Sequence, residues 1–182
     1  MGTLTTNWAT ADLLEFAGSG INLLDGDISG RDLAFRNGGA TGDPANEGNW
    51  FQFQISTVGL TELVMSYAGR TTSTGMRSLT WSYSTDGIAF TNFQTVDHFD
   101  LFGGANYGLV TVDFSSVAAA SGAAAFFVRG TFATLDGQSN PQAAGNTRFD
   151  NFQFQAIPEP STYAAIVGAL FLGLVLYRRR AR

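Results

Sequence analysis

The sequence predicts an all-β fold, an antiparallel β-sandwich of jelly-roll-like spacing followed by a single C-terminal transmembrane helix. Three observations carry that expectation. Apolar and polar residues alternate with period two through most of the chain, the mark of half-buried strands. Glycine clusters punctuate the alternating runs, and no segment before residue 158 shows helical periodicity. After Ile157 the composition changes abruptly to an uncharged apolar stretch. The boundaries that follow are a β-sandwich domain at 1–156 and a tail at 157–182.

Short runs at 4–8, 13–16, 21–24 and 32–36 open the strand series. In 49–55, Phe51, Phe53 and Ile55 share one face, while Trp50, Gln52 and Gln54 share the other. Residues 61–67 alternate in the same way. In 78–84, Leu79, Trp81 and Tyr83 face inward and Thr80, Ser82 and Ser84 outward. Asp86-Gly87 then predicts a tight hairpin, since Asp-Gly suits the positive φ angles of a type I′ turn. Further strands are expected at 89–94, 107–114, 124–132 and 148–155. Eight to eleven short strands at this spacing fit a sandwich before a barrel.

Composition narrows the function. The 182 residues hold no cysteine and no lysine, so disulfides, thiolates and amine chemistry are excluded. Residues 1–156 carry fourteen acids and six arginines, a net charge of about −8. An acidic body repels phosphate backbones, so nucleic acid is not an expected partner.

The tail reads in three parts. Pro158-Glu159-Pro160 is stiff, and its prolines lack the donor that a strand ladder requires. Residues 163–177 are uncharged and apolar on every side, bracketed by Tyr163 and Tyr177 as interfacial anchors. Arg178, Arg179, Arg180 and Arg182 close the chain and predict a cytoplasmic C-terminus, with the body on the outer side. Those fifteen apolar positions cover about 22 Å as a helix, short of a hydrocarbon core of about 30 Å, so snorkelling or bilayer thinning is expected.

A Pro-Glu-Pro triplet, an apolar helix and a terminal arginine cluster, in that order, resemble the PEP-CTERM sorting domain of exopolysaccharide-producing Gram-negative bacteria. The resemblance covers 157–182. It implies recognition by an exosortase, a membrane cysteine protease or transpeptidase, with Pro158, Glu159 and Pro160 as the recognised motif. It further implies inner-membrane anchoring before processing, then release to the outer surface or extracellular matrix. It also implies a secretory signal. Residues 1–5 have neither a basic nor an apolar region, so the natural start lies upstream or the signal has been removed. Residues 49–60, 81–91 and 147–154 resemble a β-sandwich module that precedes such tails, which bears on architecture only.

Within the body, catalytic candidates are few. His98 is the single histidine. Its acidic neighbours would raise its pKa, and it is expected to be a solvated loop residue. Glu15, Glu47 and Glu62 could pair with an aspartate for glycoside hydrolysis, but only spatial separation defines such a pair. No catalytic residue is therefore assigned. A structural calcium is the one cofactor considered. Asp25 and Asp27 open like an EF-hand loop that then breaks at Asp32 and Arg36. Alternation places Asp150 on the face of Phe152 and Phe154, where a carboxylate needs an arginine, backbone amides or a metal. Jelly-roll carbohydrate-binding modules resemble this in placing a last-strand aspartate on calcium. Trp50, Gln52 and Gln54, with Asn151, Gln153 and Gln155 of the last strand, offer an aromatic and amide surface suited to sugars.

The reading is of an exported, non-enzymatic envelope or extracellular-matrix protein. A carbohydrate-binding module for exopolysaccharide is the alternative, and a secreted hydrolase the third.

Overall fold

A computed structural model describes residues 2–42, 44–98, 106–135, 138 and 141–180, except the side chains at 161–163, 165, 173–176 and 180. In chain order the strands are β1 (Thr3–Thr6), β2 (Leu13–Ala17), β3 (Arg31–Arg36), β4 (Trp50–Ile55), β5 (Leu60–Thr71), β6 (Ser78–Ser84), β7 (Thr91–Asp97), β8 (Gly108–Asp113), β9 (Phe126–Ala133) and β10 (Asn146–Pro158). Helix α1 (Pro160–Arg180) follows. The other described helices are single 3-10 turns at Thr10–Asp12 and Ala118–Ala120.

The strands form two five-stranded sheets, β1-β4-β9-β6-β7 and β2-β3-β10-β5-β8, in which every pairing is antiparallel. The chain passes repeatedly from one sheet to the other, which gives the antiparallel sandwich expected from the alternation. The expected strand at 21–24 is instead a turn: Asn22 takes a positive φ of 60°, which breaks extended backbone.

Between the sheets lies an aromatic core. Phe35 stacks on Phe51 at 5.0 Å, Phe51 meets Trp81 edge-on at 5.5 Å, and Phe149 packs on Tyr67 at 5.5 Å. All five of these side chains are buried. Each such burial contributes about 1.5–3 kcal/mol, and a well-oriented ring pair adds about 0.5–1.5 kcal/mol. Gly130 of β9 makes room for this packing. A Cβ there would stand 3.2 Å from both Phe51 and Trp81.

The hairpin between β6 and β7 is wider than a two-residue type I′ turn. Gly87 has φ +73°, but Asp86 is not in the left-handed region, so six residues separate the strands. Asp86 Oδ1 instead accepts the amides of Ile88 at 2.8 Å and Ala89 at 3.0 Å. These bonds hold its carboxyl below the usual range.

In β10 the alternation changes phase. Its pairing with β5 shifts between Asp150 and Gln153, and Asn151 takes φ 52°. This bulge lets Phe149, Phe152 and Phe154 all pack on the core cluster. Asp150 consequently shares no face with Phe152 and Phe154, contrary to the expectation from strict period two. It lies on the outer face of the second sheet.

The ladder also runs further than expected. Ile157 pairs with Thr61 and Pro158 with Leu60, and the amide of Glu159 donates to Gly59 O at 2.9 Å. Pro158 fits as the terminal strand residue and Pro160 as the first helical one, positions where a missing N–H is tolerated. The body's last strand therefore crosses the expected boundary at 156/157. Helix α1 has 21 residues, longer than the apolar stretch alone. Its described apolar side chains Ile166, Val167, Leu170, Phe171, Leu172 and Tyr177 are exposed. Among the described residues no helix is long and apolar enough to cross a membrane. The side chains of Tyr163 and Arg180, and residues 181–182, lie outside the described set.

Candidate functional site

Strand pairing assembles a polar and aromatic surface on the outer face of the first sheet. Trp50, Gln52 and Gln54 of β4 stand opposite Thr131, Arg129 and Phe127 of β9. The same β9 residues stand opposite Thr80, Ser82 and Ser84 of β6, and Thr5 of β1 stands opposite Gln52. Alternation puts these residues on one face, because Phe51 of β4, Phe126, Val128 and Phe132 of β9, and Leu79 and Trp81 of β6 turn into the core.

Arg129 organises the centre. Its guanidinium lies 4.2 Å from the Trp50 ring centroid and 3.6 Å from that of Phe90. Its Nε and Nη2 donate to Gln52 Oε1 at 3.1 and 2.8 Å. The cation is thus held against two rings and tied to an amide, a combination that suits a planar guanidinium better than an ammonium. Partial burial lowers its pKa from the ordinary value but leaves it charged at neutral pH. Trp50, Phe90, Gln52 and Arg129 are half-buried, and Gln54 is exposed. At the edge, Thr80 and Thr95 share a hydroxyl hydrogen bond at 2.9 Å.

Such a face can do two things chemically. Aromatic rings and a flat guanidinium cover the apolar face of a pyranose, and amide and hydroxyl groups exchange hydrogen bonds with its hydroxyls. Arg129 and Phe90 were missed by sequence reasoning. The alternation at 124–132 already put Phe127, Arg129 and Thr131 on one face, so Arg129 was within reach of that signal. Phe90 sits in the hairpin loop ahead of β7, not in the strand expected at 89–94.

The other predicted polar residues do not join this face. Asn151, Gln153 and Gln155 belong to β10 in the second sheet. Asn151 Nδ2 donates to Ser19 O at 2.9 Å and Ile21 O at 2.7 Å, and Gln153 Nε2 donates to Asn22 O. Asn151 and Gln153 therefore fasten the loop after β2 to the sheet. Asp150 serves the same loop: its Oδ2 accepts the Ser19 amide at 2.6 Å and its Oδ1 accepts the Asn151 amide at 2.9 Å. Backbone amides, rather than Arg148 or Arg36, are thus its partners, and Arg36 bonds Asp12 at 2.8 Å. Asp25 and Asp27 lie exposed in the turn beyond. Among the described residues no group of three histidine or acidic side chains could hold a metal ion.

His98 is not a solvated loop residue. It is fully buried, and its Nε2 lies 2.9 Å from the Tyr67 hydroxyl, which also accepts Trp81 Nε1–H at 3.1 Å. Burial outweighs the neighbouring Asp97 and lowers its pKa to about 4, the reverse of the expected direction. No substrate reaches a side chain so placed. Of the glutamates considered for hydrolysis, Glu15 pairs with Arg31 at 2.9 Å, and Glu47 Oε1 caps the Thr134 amide at 2.8 Å.

No protein-family model and no curated protein matches this chain. Among solved structures, it is similar to the carbohydrate-binding module TmCBM61 in complex with beta-1,4-galactotriose, at 7% identity and TM-score 0.48, over 85% of this chain and 88% of that one. The K2 cleaved adhesin domain of Lys-gingipain matches at 13% identity and TM-score 0.49, again over 85% and 88%. The CBM22-2 xylan-binding domain of Paenibacillus barcinonensis Xyn10C matches at 11% identity and TM-score 0.46, over 84% and 91%.

Proposed function

We propose that this chain is an exported, non-catalytic envelope or matrix protein whose sandwich binds polysaccharide on the outer face of its first sheet. The observation that carries this reading is the Trp50–Arg129–Phe90 stack with Gln52 bonded to its cation. These groups form a preorganised platform of the kind that recognises sugar rings, and a fixed side chain loses little entropy on binding. The sealed position of His98 supports a binding rather than a hydrolytic role.

The tail supplies the address. Pro158, Glu159 and Pro160 resemble an exosortase recognition motif, and the apolar stretch after them reads as a membrane anchor. The apolar part of α1, 163–177, covers about 22 Å, so snorkelling flanks or a thinned bilayer would meet a hydrocarbon core of about 30 Å. Its exposed apolar side chains want a lipid surface. Arg178, Arg179 and Arg180 hold the C-terminus in the cytoplasm.

The test of binding is a glycan array and affinity electrophoresis with the full chain in detergent micelles. Retention by at least one polysaccharide that falls tenfold or more in Trp50→Ala, with the thermal midpoint kept, is the expected result. No retention by any polysaccharide, or retention indifferent to Trp50 and Arg129, overturns the platform reading. For the tail, a periplasm-active reporter fused to the C-terminus behind a secretory signal should be inactive. High activity there overturns the topology.

A further inference from the structure

The second sheet carries a different set of groups on its own outer face. Arg148 of β10 and Arg70 of β5 are directly opposed partners in the strand register. Like charges in this position repel, with side chains starting about 5 Å apart. Three of the body's six arginines have carboxylate partners: Arg31 with Glu15, Arg36 with Asp12 and Arg77 with Asp97. Arg129 is tied to Gln52. Among the described residues the opposed pair is left without a carboxylate partner, in a body with more than twice as many acids as arginines.

Aromatic rings hold both guanidinium groups. Arg148 lies 3.6 Å from the centroid of Phe16, and Arg70 lies 5.4 Å from that of Tyr107. Arg148 Nε donates to Asn146 Oδ1 at 2.7 Å. Among the described residues no protein acceptor engages the terminal nitrogens of either side chain. Arg70 Nε is buried with no hydrogen-bond partner. A buried donor left unsatisfied is costly, so Arg70 holds this position against its own solvation. Two acids on the same face, Asp32 and Asp150, are already engaged. Asp32 accepts the Phe16 amide at 2.7 Å and the Tyr107 hydroxyl, and Asp150 accepts the Ser19 and Asn151 amides.

We propose that the Arg70–Arg148 pair binds the carboxylate of a hexuronate residue, making this face a second, acidic-sugar site of the sandwich. Two planar forks with free terminal N–H donors match the two oxygens of a carboxylate, and the bound anion relieves the repulsion between them. Phe16 and Tyr107 flank the pair with ring surface for the pyranose. The assignment rests on the polysaccharide-binding reading only for the kind of molecule that presents the carboxylate. It uses no residue of the Trp50 platform.

The experiment is calorimetric titration of the full chain in detergent micelles with a galacturonate hexasaccharide, its methyl ester and inorganic phosphate at one ionic strength. The acid is expected to bind at least tenfold more tightly than the ester and than phosphate. Arg148→Gln and Arg148→Lys should each lose tenfold or more with the thermal midpoint kept, the lysine variant failing because it lacks the planar fork. If Arg70→Gln does not fold, Arg148→Gln decides alone. Arg148→Gln should leave retention by a neutral polysaccharide at the Trp50 platform unchanged, so failure of the platform and failure of this pair read out separately. Equal affinity for acid and ester overturns the proposal. So does tighter binding of phosphate, or full affinity in Arg148→Gln.

Discussion

The Tyr67 hydroxyl and His98 Nε2 face each other at 2.9 Å in a fully buried contact between β5 and the end of β7. Because that hydroxyl accepts the Trp81 N–H, its own proton is available to His98 Nε2. The other ring nitrogen, Nδ1, has no hydrogen-bond partner among the described residues. The chain is then Trp81 to Tyr67 to neutral His98. Gly69 allows it, since a Cβ there would meet His98 Cδ2 at 2.9 Å.

A neutral buried histidine makes stability depend on pH in a defined window. His98 has a folded pKa of about 4 against an ordinary 6.5, so between those values the unfolded chain binds more protons. Its contribution is complete above pH 6.5 and declines as pH falls, reaching zero near pH 4. At about 1.4 kcal/mol per pKa unit this is on the order of 3 kcal/mol. Asp12, Asp86 and Asp113 have lowered pKa values, so their contributions are lost only below pH 3.8. Thermal midpoints between pH 7 and pH 4 should fall in wild type and stay nearly flat in His98→Leu. An equal slope in both assigns the acid sensitivity elsewhere.

Gly130→Ala should destabilise by about 1–3 kcal/mol through overpacking. The new methyl would press on Phe51 and Trp81 at 3.2 Å and Leu79 at 3.3 Å, all fully buried and unable to yield. Gly20→Ala is the control, with nothing within 4 Å of its added Cβ, and should change little. Chemical denaturation of both variants checks the contrast. A midpoint loss in Gly20→Ala equal to that in Gly130→Ala would remove the packing explanation.

Those two glycines also show where the sequence was legible. Alternation of Phe with Gln in β4, and of Leu, Trp and Tyr with Thr and Ser in β6, declares both inner and outer faces, so the sandwich and half of the Trp50 platform could be read directly. What failed was any feature depending on one backbone angle or on distant strands. A single left-handed residue, Asn151, reverses the phase of β10 and moves Asp150 to the opposite face. His98 sits among acidic neighbours in sequence, yet folding sets its imidazole against Tyr67. The opposed Arg70 and Arg148 are 78 residues apart and meet only through the register of β5 with β10.

Asn151 should be the most position-sensitive polar residue of β10. Asn151→Gly keeps access to φ 52° and removes only the bonds to Ser19 O and Ile21 O, a loss of about 1–2 kcal/mol. Asn151→Val adds a β-branched side chain where left-handed backbone is strained by about 1–3 kcal/mol more. Equilibrium unfolding should therefore rank the variants wild type, Gly, Val in falling stability. A valine variant as stable as the glycine one would mean that the bulge relaxes.

Asp150 gives the last prediction, because both of its oxygens already have donors. The Ser19 and Asn151 amides at 2.6 and 2.9 Å supply what an ionised carboxylate would otherwise seek from calcium. Hydrogen bonds to a charged group are worth about 1.5–3 kcal/mol each, and a cation would have to displace or share them. Asp25 and Asp27 lie in an exposed turn, and no described trio of ligands stands ready. Saturating calcium or a chelator should therefore leave the thermal midpoint within a degree. Asp150→Ala should instead loosen the loop after β2, seen as faster amide exchange at Ser19 and cleavage near residues 19–24. Calcium-dependent stabilisation that disappears in Asp150→Ala would show that the amide cradle opens to admit a metal.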